Sequence, residues 1–168
     1  MAKPTPSIAV LKTLLSYDPE TGHFTWLQDR ARGKVKAGAR AGTWSNSTGY
    51  IYIRVLDTSF GAHRLAFLFM TGETPPHDVD HINGVRDDNR WVNLRLATPG
   101  QNRQNRRSPQ RTSSTGYLGV SFDKSRGKFF ASIMVNRRQK NLGRYATAEE
   151  AHAAYVRAKR ELHPFGTL

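Results

Sequence analysis

The chain has 168 residues, 38% of them hydrophobic, with 8 Phe, 6 Tyr and 3 Trp, enough for one medium or two small packed domains and too apolar for a disordered chain. It has no cysteine, which excludes disulfides and thiolate zinc sites and fits a reducing cytoplasm. Lys plus Arg number 26 against 13 acids, a formal net charge of +13, so the expected partner is a polyanion. No membrane association is expected, because the longest apolar run, residues 65–70, is far too short to cross a bilayer, and residues 1–6 lack the apolar core of a secretory signal.

Residues 7–17 read as a short helix with Ile8, Leu11, Leu14 and Leu15 on one face. Asp18-Pro19-Glu20-Thr21-Gly22 is a turn and residues 23–26 a strand. Residues 28–48, rich in Gly, Arg and Lys, are expected to be a surface loop. Residues 49–55 predict a strand, and residues 62–70 a helix that Thr71-Gly72 ends. Residues 75–105 are polar and dense in His, Asp and Asn, a composition odd for a structural element and ordinary for a site. Thr98-Pro99-Gly100-Gln101 then starts a short helix: Thr98 can cap it, Pro99 suits its first position, and Asn102 falls in its first turn. Residues 106–115 look like a linker. Three strands are expected at 117–122, 128–135 and 139–145, with Phe129, Ala131, Ile133 and Val135 on one face of the middle one. Thr147-Ala148-Glu149-Glu150 is a capping box, and the helix it starts puts Ala151, Ala154, Tyr155, Ala158 and Leu162 on one stripe. His152 and His163 are expected on that helix's surface. The fold class is therefore α+β, with a three-stranded antiparallel sheet packed on one helix at the C-terminus.

Val79-Asp80-His81-Ile82-Asn83-Gly84 carries the chemistry. Asp80 and His81 are neighbours on an expected strand, so their side chains point to opposite sides, and Asn83-Gly84 turns the chain. Phosphodiester hydrolysis needs a base for water, a Lewis acid for the growing charge and a geometry that holds both. His81 can be the base, since an imidazole titrates near neutral pH. Asp80 and Asn102 offer hard oxygen ligands that suit Mg²⁺, with Mn²⁺ as second choice. Asn93 can tie the loop and so aim His81. His77 lies four residues before His81, but Pro75-Pro76 argues against the helix that would pair them; His63 opens an apolar helix. Both are expected to support the site rather than bind the ion. Alone, an Asp-His pair is more often a surface polar pair; its conjunction with the spaced asparagines in so basic a chain favours function. No nucleophile triad and no phosphate-binding glycine loop is present, and no organic cofactor is expected.

At these residues the chain resembles the HNH endonucleases, in the phage and intron homing branch that has Asn in place of the last His. The likeness runs from His63-Arg64-Leu65 through Asp80-His81-Ile82-Asn83-Gly84 and Asn89…Asn93-Leu94 to Asn102, and Tyr17-Asp18-Pro19-Glu20-Thr21-Gly22…Trp26 resembles phage relatives. The resemblance implies a ββα-metal fold with core at about residues 76–106 inside a nuclease domain of residues 1–106. His81 would be general base, Asp80 and Asn102 would hold one divalent ion, and Asn93 would be the structural asparagine. It also implies a bacterial or phage-infected host cell. Family members often carry Asp where this chain has Asn83.

Between Gln101 and Tyr145 lie Arg103, Arg106, Arg107, Arg111, Lys124, Arg126, Lys128, Arg137, Arg138, Lys140 and Arg144 against a single acid, Asp123. Such a stripe, interleaved with Gly, Ser and aromatics, marks a phosphate-binding surface. After a linker at 107–114, residues 115–168 resemble the plant ethylene-response-factor type of DNA-binding domain. Thr115-Gly116-Tyr117-Leu118-Gly119-Val120, Phe129-Phe130-Ala131-Ser132-Ile133 and residues 142–155 carry that likeness. The resemblance implies a sheet laid in the DNA major groove. The family's tryptophan at the start of the middle strand is Phe129 here. Arg126, Lys128, Arg137, Arg138, Lys140 and Arg144 are the expected DNA face, with Arg103, Arg106, Arg107 and Arg111 tracking the backbone. The reading is a metal-dependent endonuclease of homing type on double-stranded DNA, nicking from one active site as a monomer or weak dimer. A DNA-binding regulator with an inactive nuclease scaffold is the alternative, and an RNA-binding accessory protein a third.

Overall fold

The computed structural model describes residues 6–110 and 112–166. The chain divides into two compact units, Met1–Thr98 and Pro99–Leu168.

In the first unit α1 (Ile8–Leu14) is capped by Ser7, whose hydroxyl accepts from the Val10 N–H. The expected helix to residue 17 stops at Leu14, because β1 (Leu15–Tyr17) pairs antiparallel with β2 (Phe24–Trp26). The Asp18 carboxylate makes that pairing possible by accepting from Glu20 N (2.9 Å) and Thr21 Oγ1 (2.8 Å), which closes the turn. Leu15 is buried in the strand as it would have been in the helix, so apolar spacing alone did not separate the two.

The expected loop at 28–48 is a second correction. It contributes β3 (Arg40–Ala41), paired with β2, and β4 (Thr43–Trp44), paired with β5 (Ile51–Val55). These strands are two residues long, below what periodicity can register. Gly42, at φ 113°, turns the chain between them, and a Cβ there would come within 2.6 Å of Ile51. β6 (Thr58–Gly61) completes the β4-β5-β6 sheet and leads into α2 (Ala62–Thr71), which Gly72 ends in the left-handed conformation. Leu11, Leu15, Phe24, Ile53, Val55 and Leu65 form the core of this unit, at 1% exposure or less. β7 (Asp78–His81) and β8 (Leu94–Ala97) make a two-stranded antiparallel ladder in the register Asp80↔Arg95 and His81↔Leu94.

The second unit begins with α3 (Pro99–Gln104). Its sheet has the order β9 (Val120–Asp123), β10 (Lys128–Val135), β11 (Arg138–Tyr145), all antiparallel. The first strand starts later than expected because Gly116 and Gly119 take positive φ and bend the chain. α4 (Ala148–Leu162) starts at the Thr147/Glu150 capping box. Its Ala151 packs with Val120 and Ala131, and its Tyr155 and Ala158 with Ile133. His152 and His163 are not surface residues: His152 Nδ1 lies 3.0 Å from the Leu118 carbonyl, and buried His163 has Nε2 2.7 Å from the Met134 carbonyl. Both imidazoles satisfy carbonyls that the irregular segment before β9 and the edge of β10 leave over. Lys159 is buried as well and donates to the Arg106 carbonyl; burial lowers its ammonium to about 8. Among the described residues no helix is long and apolar enough to cross a membrane.

Candidate active site

The β7–β8 ladder puts Asp80 and His81 on opposite faces. Asp80 faces its register partner Arg95, whose Nη2 and Nε lie 3.1 and 3.2 Å from Oδ2. This is a half-buried, two-pronged, charge-assisted contact.

His81 turns inward and is only 3% exposed. Its Nε2 lies 3.1 Å from Asn89 Oδ1, while Asn89 Nδ2 donates to the Asp87 carbonyl at 3.2 Å. The second bond fixes which way the amide faces. A carbonyl oxygen can only accept, so Nε2 carries the imidazole proton and the lone pair belongs to Nδ1. Burial lowers the His81 pKa from its ordinary 6.5, partly offset by the bond to Asn89 and the nearby Asp80, Asp88 and Asp87. Burial thus favours the neutral ring.

Asn89 is itself 1% exposed and well anchored. Its carbonyl accepts from Tyr17 Oη at 2.7 Å, and the next peptide is held where Trp91 N donates to Pro19 O at 2.9 Å. Gly22, at φ 73°, passes so close that a Cβ would lie 2.4 Å from Arg90 N. The β1–β2 hairpin thus holds the loop that holds His81. Burial raises the Tyr17 phenol well above its ordinary value, so it stays a donor.

Asn93 sits in the single 3-10 turn Trp91–Asn93. Its Oδ1 accepts from Asn83 N (2.9 Å), its Nδ2 donates to Asp88 O (2.7 Å), and its own carbonyl accepts from Ile82 N (2.8 Å). Three bonds from one residue clamp the connection between β7 and β8. Asn83 also donates to Asp88 Oδ2 at 2.6 Å while Arg90 grips the same carboxylate, which holds Asp88 at about 2. An aspartate at position 83 would set carboxylate against carboxylate, so the departure from the usual Asp matches Asp88.

His63 stands beside His81: ring centroids are 5.3 Å from His81 and 4.9 Å from Tyr50. Its buried Nδ1 has no hydrogen-bond partner, and burial, with His81 and Arg64 adding to it, lowers its pKa to about 3. It supports the site as a neutral ring. His77 is exposed; its carbonyl accepts from Arg64 Nη1 at 3.1 Å, and it is not part of the ring cluster. Within the first unit His63 and His81 lie ring beside ring and Asn93 clamps the chain just after His81, while the Asp80 side chain faces Arg95 on the other side of the ladder. Asn102 lies on α3 in the second unit, as does exposed Arg103, whose Nε donates to Pro99 O; Arg106 and Arg107 follow as exposed residues, and Arg111 lies outside the described residues.

Sequence reasoning assigned no role to Asn89, Arg95 or Tyr50. Asn89 stood in the motif, but nothing in its spacing says that it faces His81. Arg95 becomes visible only once His81 is paired with Leu94.

The expected DNA face separates by register. Lys128 pairs with Asp123 and Phe130 with Arg144, on the sheet face away from Ala131 and Ile133. There Arg126 Nη1 and Arg144 Nε lie 3.2 and 3.3 Å from Asp123 Oδ2, and the Arg144 guanidinium lies 5.4 Å from the Phe130 ring centroid. Lys140 and Arg138 pair with Ile133 and Val135, so they sit on the helix side, exposed at its margin. Arg137, at φ 63°, is at the tip of the β10–β11 hairpin.

Asp80 and Asn102 carry hard oxygen donors of the kind that suit Mg²⁺; in this structure Asp80 Oδ2 is held by Arg95 and Asn102 lies on α3 of the second unit. Among the described residues no group of three or more His, Cys, Asp or Glu is placed to hold a metal ion.

Residues 60–104 match the family model described as HNH endonuclease. Over 85 residues the chain is 33% identical to protein 3.8 of Escherichia phage T7, a match that covers 51% of this chain and 69% of that protein. No solved structure matches the chain. With the buried His81, the asparagine-clamped connection and these similarities together, the chain belongs to the HNH endonuclease family.

Proposed function

We propose that the protein is a metal-dependent DNA endonuclease of homing type that nicks its substrate, with His81 as general base and Asp80 and Asn102 as ligands of one divalent ion, Mg²⁺ by donor chemistry. The observation that carries this reading is the His81–Asn89 contact. It makes Nδ1 the proton acceptor on a ring that burial keeps neutral. His81 takes the proton of a water that attacks phosphorus. Asn93 fixes the chain immediately after His81, which limits drift of the imidazole from the attack line. The bound ion would supply Lewis-acid charge to the phosphate and the leaving 3′-oxygen. Asp80 arrives half-neutralised by Arg95, and the guanidinium is placed to pass to a phosphate oxygen when the carboxylate takes a cation. The second unit is the DNA-gripping module, with Arg126, Lys128 and Arg144 as the centre of its sheet face and Arg137, Arg138 and Lys140 at the rim.

Supercoiled plasmid carrying varied target DNA, incubated with Mg²⁺, tests the reading. Wild type is expected to give open circles and His81→Ala to lose about 10²–10⁴-fold in rate. Equal, negligible relaxation by both proteins defeats the enzyme reading and leaves only DNA binding.

A further inference from the structure

The first unit carries a cleft of about 350 Å³ lined by Trp26, Val35, Arg40, Gly42, Thr43, Tyr52, Arg54 and Ser59, none of which is a residue named above as base, ligand or clamp. Its origin lies in the pleat of the β4-β5-β6 sheet. Ile53 and Val55 point into the core and are fully buried, so Tyr52 and Arg54 must point the other way. Their register partners, Thr43 opposite Tyr52 and Ser59 opposite Arg54, share that outward face. Arg40 approaches from β3, and Trp26 and Val35 form an apolar wall. The Arg30 guanidinium stacks over the Trp26 ring at 4.7 Å.

The lining therefore offers two guanidiniums and three hydroxyls, and no carboxylate. Asp57 touches Arg54 only at 3.5 Å, with both side chains more than 70% exposed, a contact that solvent leaves weak. Guanidinium forks and hydroxyls around an aromatic wall match the phosphates and sugars of a nucleic-acid backbone.

We infer that this cleft is a second DNA-contact surface, on the nuclease unit itself, which binds the phosphodiester backbone of the duplex flanking the cut site. The inference rests on the nuclease reading for its substrate, but it concerns binding and not hydrolysis.

Binding of the full chain to a labelled duplex, measured by fluorescence anisotropy in EDTA across a salt series, tests it. Arg40→Ala/Arg54→Ala is expected to weaken binding on the order of ten- to a hundredfold and to flatten the log Kd against log[salt] slope by roughly 2. Thr43→Glu, which adds a carboxylate to the same face, is expected to weaken it too. Lys12→Ala/Arg160→Ala removes the same charge from exposed positions elsewhere and sets the baseline. If the cleft variants match that baseline, the inference is overturned. Plasmid nicking by wild type judges the nuclease reading separately, since binding in EDTA does not depend on it. Unchanged melting temperatures for the exposed-residue variants exclude misfolding as the cause.

Discussion

Arg95 holds the carboxylate of Asp80 with two nitrogens, at 3.1 and 3.2 Å, across the β7–β8 ladder. A guanidinium that close offsets much of the negative charge that a cation would seek. Arg95→Ala is therefore expected to lower the Mg²⁺ concentration for half-maximal binding several-fold, about 1 kcal/mol in favour of the ion for a pair this close to solvent. Titration calorimetry checks it. If Arg95 also receives a phosphate oxygen, kcat falls in the same variant while metal affinity rises.

The tautomer of His81 predicts how activity responds to pH. As the proposed base His81 works when neutral, so rate is expected to rise as pH climbs through its pKa, which burial lowers from 6.5. Asn89 favours the charged ring. Asn89→Ala is expected to move the limb further down and to cut kcat about 10- to 100-fold through lost aim. Asn89→Asp places a carboxylate against Nε2 and should move the limb up. A purely structural Asn89 predicts no opposed shifts.

His63 makes the fold itself acid-sensitive. Its pKa is about 3 in the folded chain and 6.5 as the ordinary value, so between those limits the unfolded chain binds the extra proton. Stability therefore rises with pH across that window and is lost as pH falls below 6.5. The contribution is on the order of 2–3 kcal/mol at pH 4. Urea unfolding of wild type and His63→Leu at pH 7 and pH 4 should show the larger acid loss in wild type.

Gly119 is held at φ 77° with its Cα against Tyr155, and a Cβ would fall 2.0 Å from that ring. Gly119→Ala is expected to cost roughly 3 kcal/mol or more, because both backbone and ring must move. Gly127, at φ 61° with open space around it, should cost only about 1 kcal/mol as Gly127→Ala. Thermal unfolding of the two variants separates clash from backbone strain.

Long elements with a strong period were legible from the residues alone: β10 and the helix started by Thr147 fall where the pattern puts them. Short elements were not. β3 and β4 exist because β2 and β5 offer them edges, a tertiary cause with no local signature. In the site, Asp80, His81 and Asn93 stood out by residue type and spacing. Asn89 and Arg95 act through partners that only the folded β7–β8 connection supplies. The histidines of α4 were misjudged because burial there comes from irregular chain folding over the helix flank.

Asp123 is the lone acid in the basic stretch, and it already occupies Arg126 and Arg144. The two guanidiniums are thus splayed around one anion before any nucleic acid arrives. On the proposed DNA face, an incoming phosphate would exchange places with a tethered carboxylate rather than with mobile chloride. Fewer small ions are then set loose than the cations on that face suggest, and affinity should decline with salt more gently than a count of arginines and lysines implies.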